Sequence, residues 1–333
     1  MYMLKNHISK LSILDKSDLL ELLKRQSFVY KRKIGLPKDM SFGIEIEAIH
    51  PDLIDTMREV RNIRYYKKKG TPYSLYDKKK WILTDDESLI DGGELSTPIY
   101  SDNWRSWHDL EKMMGTIKRK LPDVKVDDTC GSHIHFNGDI FSLDAEKLFS
   151  FMVLLAENEQ VLTRFYNGEF INLREGACLY ATSFAELFLE NQPFNIKNYY
   201  ALLEKLYKES KSGKNHKEQS FDFSRLYLYQ EGQEVPNTIE IRIPNGTLKK
   251  EIIQNNVRIT GKLLDCATKG NYDWERGLYN ITNDNIYNNS INLDDALYVT
   301  SLLDNDLDKL LFLKQYYKDG SETYNIKLKR YGL

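Results

Sequence analysis

Cysteine is scarce in this chain: Cys130, Cys178 and Cys266 are three thiols without paired spacing among 333 residues. An odd, unpaired set excludes a disulfide framework and a thiolate zinc cage, and it predicts reduced thiols. Charge of one sign is missing too, because 47 basic side chains meet 49 acidic ones for a net charge of −2. Nothing in that balance calls for a nucleic-acid partner or an anionic membrane. The longest apolar run, around Phe149 to Ala156, is far too short to cross a bilayer, and the first residues lack the basic, apolar, small-residue order of a signal peptide. The expectation is a cytoplasmic protein without a membrane partner. No internal repeat of fixed period appears, which excludes a solenoid or propeller. What remains, 41% hydrophobic and 12% aromatic residues, suffices for one large core or two modest ones.

The informative stretch is Ser41-Phe42-Gly43-Ile44-Glu45-Ile46-Glu47-Ala48-Ile49-His50, where apolar residues and carboxylates alternate over the span of one strand. Side chains on a strand point alternately to its two faces. Phe42, Ile44 and Ile46 therefore face a core, while Glu45 and Glu47 share the other face roughly 6 to 7 Å apart. Two like charges this close call for a cation. The device recurs twice: His133-Ile134-His135 sets two imidazoles on one face, and Ile239-Glu240-Ile241-Arg242-Ile243 sets a carboxylate and a guanidinium on one face. If the three segments share a sheet, its covered face is an isoleucine-rich core and its open face gathers ligands suited to metal and phosphate.

The rest of the chain frames these segments. Leu19, Leu20, Leu22 and Leu23 fall within a short helix that Asp15 or Ser17 can cap, in a lead-in with a packing role. Lys67 to Lys80 form a basic excursion with turn residues inside it, read as a solvated loop or as a phosphate-contacting lid. Trp81-Ile82-Leu83 reads as a strand, followed by acidic Asp85-Asp86-Glu87 and by Gly92-Gly93-Glu94, where glycines before a carboxylate suggest a backbone held close to something. Trp104, Trp107, Leu110, Met114, Ile117 and Leu121 recur at helical spacing and read as core, with Pro122 ending the helix. Ser142 or Asp144 can cap a long helix from Ala145 to Phe165, in which Glu157 is a charge on an otherwise apolar element. Beyond the polar interlude of Asn172, Arg174 and Tyr180, a helix is predicted over Asn195 to Tyr207, then a surface loop over Lys208 to Lys217. Phe221 to Tyr229 alternates again. Asn245-Gly246 marks a turn, and Thr247 can cap a helix carrying Ile252, Ile253, Val257 and Leu264. An asparagine-rich loop and two helical patterns close the chain.

Five of these motifs occur in an order that resembles the amidoligase family, relatives of glutamine synthetase and glutamate-cysteine ligase. They are Phe42-Gly-Ile-Glu-Ile-Glu, Trp81 to Asp86 with Ser88-Leu89, Glu94-Leu-Ser-Thr-Pro, Gly131-Ser-His-Ile-His, and Thr238-Ile-Glu-Ile-Arg-Ile-Pro-Asn-Gly-Thr-Leu; Glu87 stands where the family commonly has a glycine. The resemblance implies an α+β, glutamine synthetase-like catalytic fold, with a curved antiparallel sheet and flanking helices around ATP and divalent metal. It divides the chain into a helical lead-in over 1–40, a catalytic domain over 41–268 and a C-terminal helical extension over 269–333. By this likeness Glu45, Glu47, Glu94, His133 and Glu240 hold magnesium, or manganese in its place. His135, Arg174 and Arg242 would serve catalysis at the phosphate or substrate carboxylate. The implied reaction is ATP-dependent joining of a carboxylate to an amine of an amino acid, peptide or protein side chain. Alternatives are a guanidino kinase-like phosphotransferase, a nucleotide-binding module without catalysis, and, more weakly, a His-x-His metallohydrolase. Oxygen-rich donors favour magnesium over zinc.

Overall fold

The structure, a computed structural model, describes residues 16–67, 79–86, 89–170, 183–212, 219–283, 290–291, 293–317 and 324–325. Its centre is a mixed, open, mostly antiparallel sheet of eight strands: β1 (Ser41–Ile49), β2 (Ile63–Tyr66), β3 (Trp81–Asp85), β4 (Gly92–Ser96), β5 (Tyr100–Ser101), β6 (Ser132–Asn137), β7 (Phe221–Asp222) and β8 (Thr238–Ile241). The order across the sheet is β2-β3-β4-β1-β6-β8-β7, with β5 paired to the start of β1. Only β2 and β3 run parallel among the described pairs of this sheet, Ile63 opposite Trp81, and β2 has no counterpart in the sequence reading.

One face of the sheet is closed by helices. Phe42, Ile44, Ile46, Ile134, Phe136, Ile239 and Ile241 are all buried on it, as the period of two requires. Beneath β1 lies the helix Trp104–Lys120, whose Trp107 stacks on Phe42 with ring centroids 5.3 Å apart. Asn103 starts that helix by accepting hydrogen bonds from the Arg105 and Ser106 N–H groups, which satisfies two of the donors a helix start leaves open. Trp104 is an exception to the predicted apolar stripe, because it occupies the first helical residue and is 56% exposed. Ala145–Tyr166 forms the predicted long helix; Asp144, not Ser142, caps it, through the Glu146 and Lys147 N–H groups. Nearly all of its length is buried between the helices Lys250–Thr268, Trp274–Asn283 and Asp306–Tyr316.

Described residues after 269 contribute to the same core. Ile281, Val299, Leu310 and Phe312 join one buried cluster with Phe42 and Ile241. Glu157, the odd charge of the long helix, accepts hydrogen bonds from Tyr272 Oη (2.7 Å), Asn280 Nδ2 (2.7 Å) and Tyr298 Oη (3.0 Å). That carboxylate pins two later helices, Trp274–Asn283 and Leu293–Ser301, to the first.

Several local expectations are corrected. The helix predicted from Asn195 runs instead over Tyr199–Ser212, four residues late and into the predicted loop; Asn198 starts it through the Ala201 N–H. Phe221 to Tyr229 alternates in sequence yet yields only two strand residues before the helix Ser224–Gln230, because the Asp222 carboxylate takes the Ser224 N–H at 2.7 Å and turns the chain. Thr247 accepts the Lys249 N–H and donates to Glu169, so it supports the loop one turn ahead of the helix Lys250–Thr268 and does not cap it. The two helical patterns read after the asparagine-rich stretch are the helices Leu293–Ser301 and Asp306–Tyr316, and a further helix, Trp274–Asn283, precedes that stretch. Cys130 and Cys266 are buried free thiols, and burial pushes the Cys130 thiol up to about 12. Cys178, Asp15 and residues 68–78 of the basic excursion lie outside the described residues.

Candidate active site

The opposite face of the sheet is polar, and the strand register arranges it in rows, since directly paired residues on neighbouring strands project to the same side. The middle row runs Ser96, Glu45, His133 across β4, β1 and β6. On one side of it lie Thr84, Glu94 and Glu47 across β3, β4 and β1. On its other side lie Gly43, His135, Glu240 and Asp222 across β1, β6, β8 and β7. Arg242 continues the alternation just past β8, where its N–H still donates to Ser220 O at 2.9 Å. The turn after it is drawn tightly against β6: Gly246 N–H reaches Cys130 O at 2.8 Å, and a Cβ at Gly246 would stand 2.7 Å from Cys130 Cβ. A side chain there would clash with Cys130.

Distances tie the rows into one network. His133 Nδ1 is 3.0 Å from Glu45 Oε2 and 3.3 Å from Glu240 Oε1, while its Nε2 is 3.9 Å from Glu47 Oε1. His135 Nε2 is 3.1 Å from Glu45 Oε1. Arg242 Nη1 donates to Glu240 Oε1 at 2.5 Å, and Arg225 Nη2 lies 3.1 Å from Glu240 Oε2. Glu47 Oε2 accepts the Gly131 N–H at 2.5 Å, and Glu94 Oε1 accepts from Ser96 Oγ at 3.2 Å. Except for Glu45 and Arg225, these charged side chains are nearly sealed from solvent.

The charges follow from that geometry. Burial pushes the Glu240 carboxyl up, but the Arg225 and Arg242 guanidinia outweigh it and hold the group well below the usual carboxylate range. Glu45 behaves alike, with burial overcome by the His135 and His133 imidazoles. Burial and the Arg242 charge push His133 down, yet the carboxylates of Glu240, Glu45 and Glu47 prevail and raise it to about 9.

Two groups of side chains on this face have donor atoms close enough to share one cation. Glu45, His135 and Glu240 form one, and Glu47, Asp86 and Glu94 the other, the donor atoms of each lying within 4.8 Å of one another. Thr84 Oγ1, in register with Glu94, is buried without a hydrogen-bond partner among the described residues. Hard divalent cations take oxygen donors, and such a donor set fits magnesium or manganese better than zinc.

Glu45, Glu47, Glu94, His133, His135, Glu240 and Arg242 are thus brought together on one face. Arg174 lies outside the described residues. Two neighbours went unassigned in the sequence reading. Asp86, noted there only as part of an acidic turn, follows β3 on the same alternation as Thr84 and reaches Glu47 and Glu94. Arg225 arrives from the helix Ser224–Gln230; the signal for it was Asp222, a side-chain acceptor two residues before Ser224 that ends the strand pattern.

No curated protein matches the chain. Among solved structures, the crystal structure of a bifunctional glutathione synthetase from Pasteurella multocida aligns with 11% identity and a TM-score of 0.46, over 91% of this chain. The chain spans 48% of that protein's length. A family model described as "putative amidoligase enzyme" matches residues 38–264, a span that contains every strand and site residue named above.

Proposed function

The chain belongs to the putative amidoligase enzyme family, and from that premise we propose that it is an ATP-dependent carboxylate-amine ligase built on a glutamine synthetase-like sheet. The observation that carries this reading is the joining, on one sheet face, of two cation-binding groups with the guanidinia of Arg225 and Arg242. Glu45, His135 and Glu240 would hold one magnesium ion and Glu47, Asp86 and Glu94 another, with His133 between the two groups. When bound, the metal neutralises the phosphate oxygens and makes the γ-phosphorus attackable.

The chain's own residues then position and exclude. A substrate carboxylate oxygen attacks the γ-phosphorus, the bond to the β–γ bridging oxygen breaks, and ADP leaves with that electron pair. The amine nitrogen next attacks the acyl carbon, phosphate departs with the carbon–oxygen electron pair, and the amine loses a proton to give the amide. Negative charge gathers on transferring oxygens at both steps, and fixed guanidinia in a poorly solvated site stabilise it. In this reading 41–268 is the catalytic domain, 1–40 a helical lead-in and 269–333 a helical extension.

The reading is tested by incubating the protein with ATP, magnesium and a pool of amino acids and peptides. The expected product is a condensation species lighter than its two precursors by one water, formed with ADP and phosphate. A phosphorylated guanidine formed with ADP would replace the ligase by a phosphotransferase, and ATP left intact against every acid and amine pair would sink both.

A further inference from the structure

Arg225 stands apart from the other cations of the site. Its side chain is 33% exposed, against 11% for Arg242 and 9% for His135. It comes from the first turn of the helix Ser224–Gln230, which follows the edge strand β7 and begins where the Asp222 carboxylate accepts the Ser224 N–H. One edge of the guanidinium meets Glu240 Oε2 at 3.1 Å, and Nη1 lies 3.5 Å from His135 Nδ1. Arg225 thereby touches two of the three side chains of the Glu45, His135 and Glu240 group. Beside it the floor is low, for Gly43 occupies the position in register with His135, and a Cβ there would meet nothing nearer than His135 Cβ at 4.0 Å.

We propose that Arg225 is the residue through which this site grips the nucleotide's polyphosphate, an inference that rests on the ATP-dependent ligase reading. Glu240 has two guanidinium partners on two different oxygens. Arg242, buried and at 2.5 Å from Oε1, fixes its orientation; Arg225 meets Oε2 and is the more exposed of the two, with a planar five-donor fork. With Glu240 committed to a divalent cation, the charge of Arg225 is available to phosphate oxygens carried at the same spot, and the bare Gly43 floor leaves them room. A planar fork suits two phosphate oxygens at once.

A supporting role for Arg225 and a phosphate-binding one move metal affinity in opposite directions. Free manganese measured by electron paramagnetic resonance gives metal affinity for the wild type, Arg225→Gln and Arg225→Lys without nucleotide. Calorimetry then gives the affinity of each manganese-loaded protein for ATP and for inorganic tripolyphosphate. The expected result is manganese affinity unchanged or higher in Arg225→Gln, since a cation has left the site. ATP and tripolyphosphate should both weaken about tenfold to a hundredfold, with Arg225→Lys between. If manganese and nucleotide weaken together, or ATP affinity survives in Arg225→Gln, the proposal is overturned and the ligase reading stands. Loss of ATP affinity with tripolyphosphate affinity kept would move Arg225 to the nucleoside and overturn it as well. A wild type that binds neither probe when loaded with manganese overturns the ligase reading itself, and this inference with it. Should Arg225→Gln fail to fold, Arg225→Lys carries the same comparison, because it keeps the charge and loses the fork.

Discussion

Glu45 and Glu240, on one side of His133, sit among two imidazoles and two guanidinia, whereas Glu47, Asp86 and Glu94, on its other side, form a group of three carboxylates. The two groups share a sheet face and, in part, a strand, yet they meet the same problem differently. Near Glu240 the fold supplies its own counter-charge, and both carboxylates are held well below the usual range. Around Glu47 the charge is concentrated within 4.8 Å, and a divalent cation relieves most where like charges are closest. One sheet face thus holds a carboxylate group whose counter-charge the fold supplies directly beside a group of three carboxylates within 4.8 Å of one another.

Metal removal should have the largest effect. In excess EDTA, ATP affinity measured by calorimetry should fall at least about a hundredfold, because the three-carboxylate end then repels the triphosphate. Unchanged affinity would show that the carboxylates are not ligands. Next in size, Glu240→Gln should lower the stability of metal-free protein by about 3–5 kcal/mol in denaturant titration, since Arg225 and Arg242 lose their shared counter-charge in a poorly solvated place. A loss under 1 kcal/mol would mean that the compensation is only apparent.

Titration of His133 should be somewhat smaller. Its folded-state value of about 9 lies above the ordinary 6.5, so the stabilisation it brings is present in full below pH 6.5 and is lost as pH rises through 9. Metal-free protein should therefore lose on the order of 3 kcal/mol over that window, and His133→Gln should flatten the slope; an equal slope in the variant would assign the effect elsewhere. In Glu47→Gln the Gly131 N–H keeps an acceptor while one of three like charges is gone. Its metal-free melting temperature should hold within a few degrees, with manganese affinity down at least about tenfold; a melting drop as large as that of Glu240→Gln would erase the distinction between the two groups. Smallest of all, Gly43→Ala should leave stability unchanged or raise it by about 0.5–1 kcal/mol, with ATP affinity lowered severalfold by the filled floor. Full affinity would show that no ligand passes over Gly43.

Much of the polar face was legible before any coordinates, and the reason is the period of two. Once Phe42, Ile44 and Ile46 are assigned to a core, Glu45 and Glu47 have nowhere else to point, and the same holds for His133 and His135 around Ile134. Legibility failed where a local side chain overrode the pattern. Phe221 to Tyr229 alternates like a strand, but Asp222 captures a backbone N–H and starts a helix, which moves Arg225 into the site. It failed again at β2, whose parallel pairing with β3 depends on partners distant in sequence.

The sequence by itself determined which residue types share a face, because alternation along a strand is a property of the backbone and needs no neighbour. Family membership came from the same source, through five motifs in order. Only the tertiary structure decided which strands lie side by side, and with that the separation of one acidic cluster into two groups with His133 between them. It also decided the contacts of Asp86 and Arg225, since register and helix placement are set by long-range packing of the core and leave no periodic trace in the residues that they bring together.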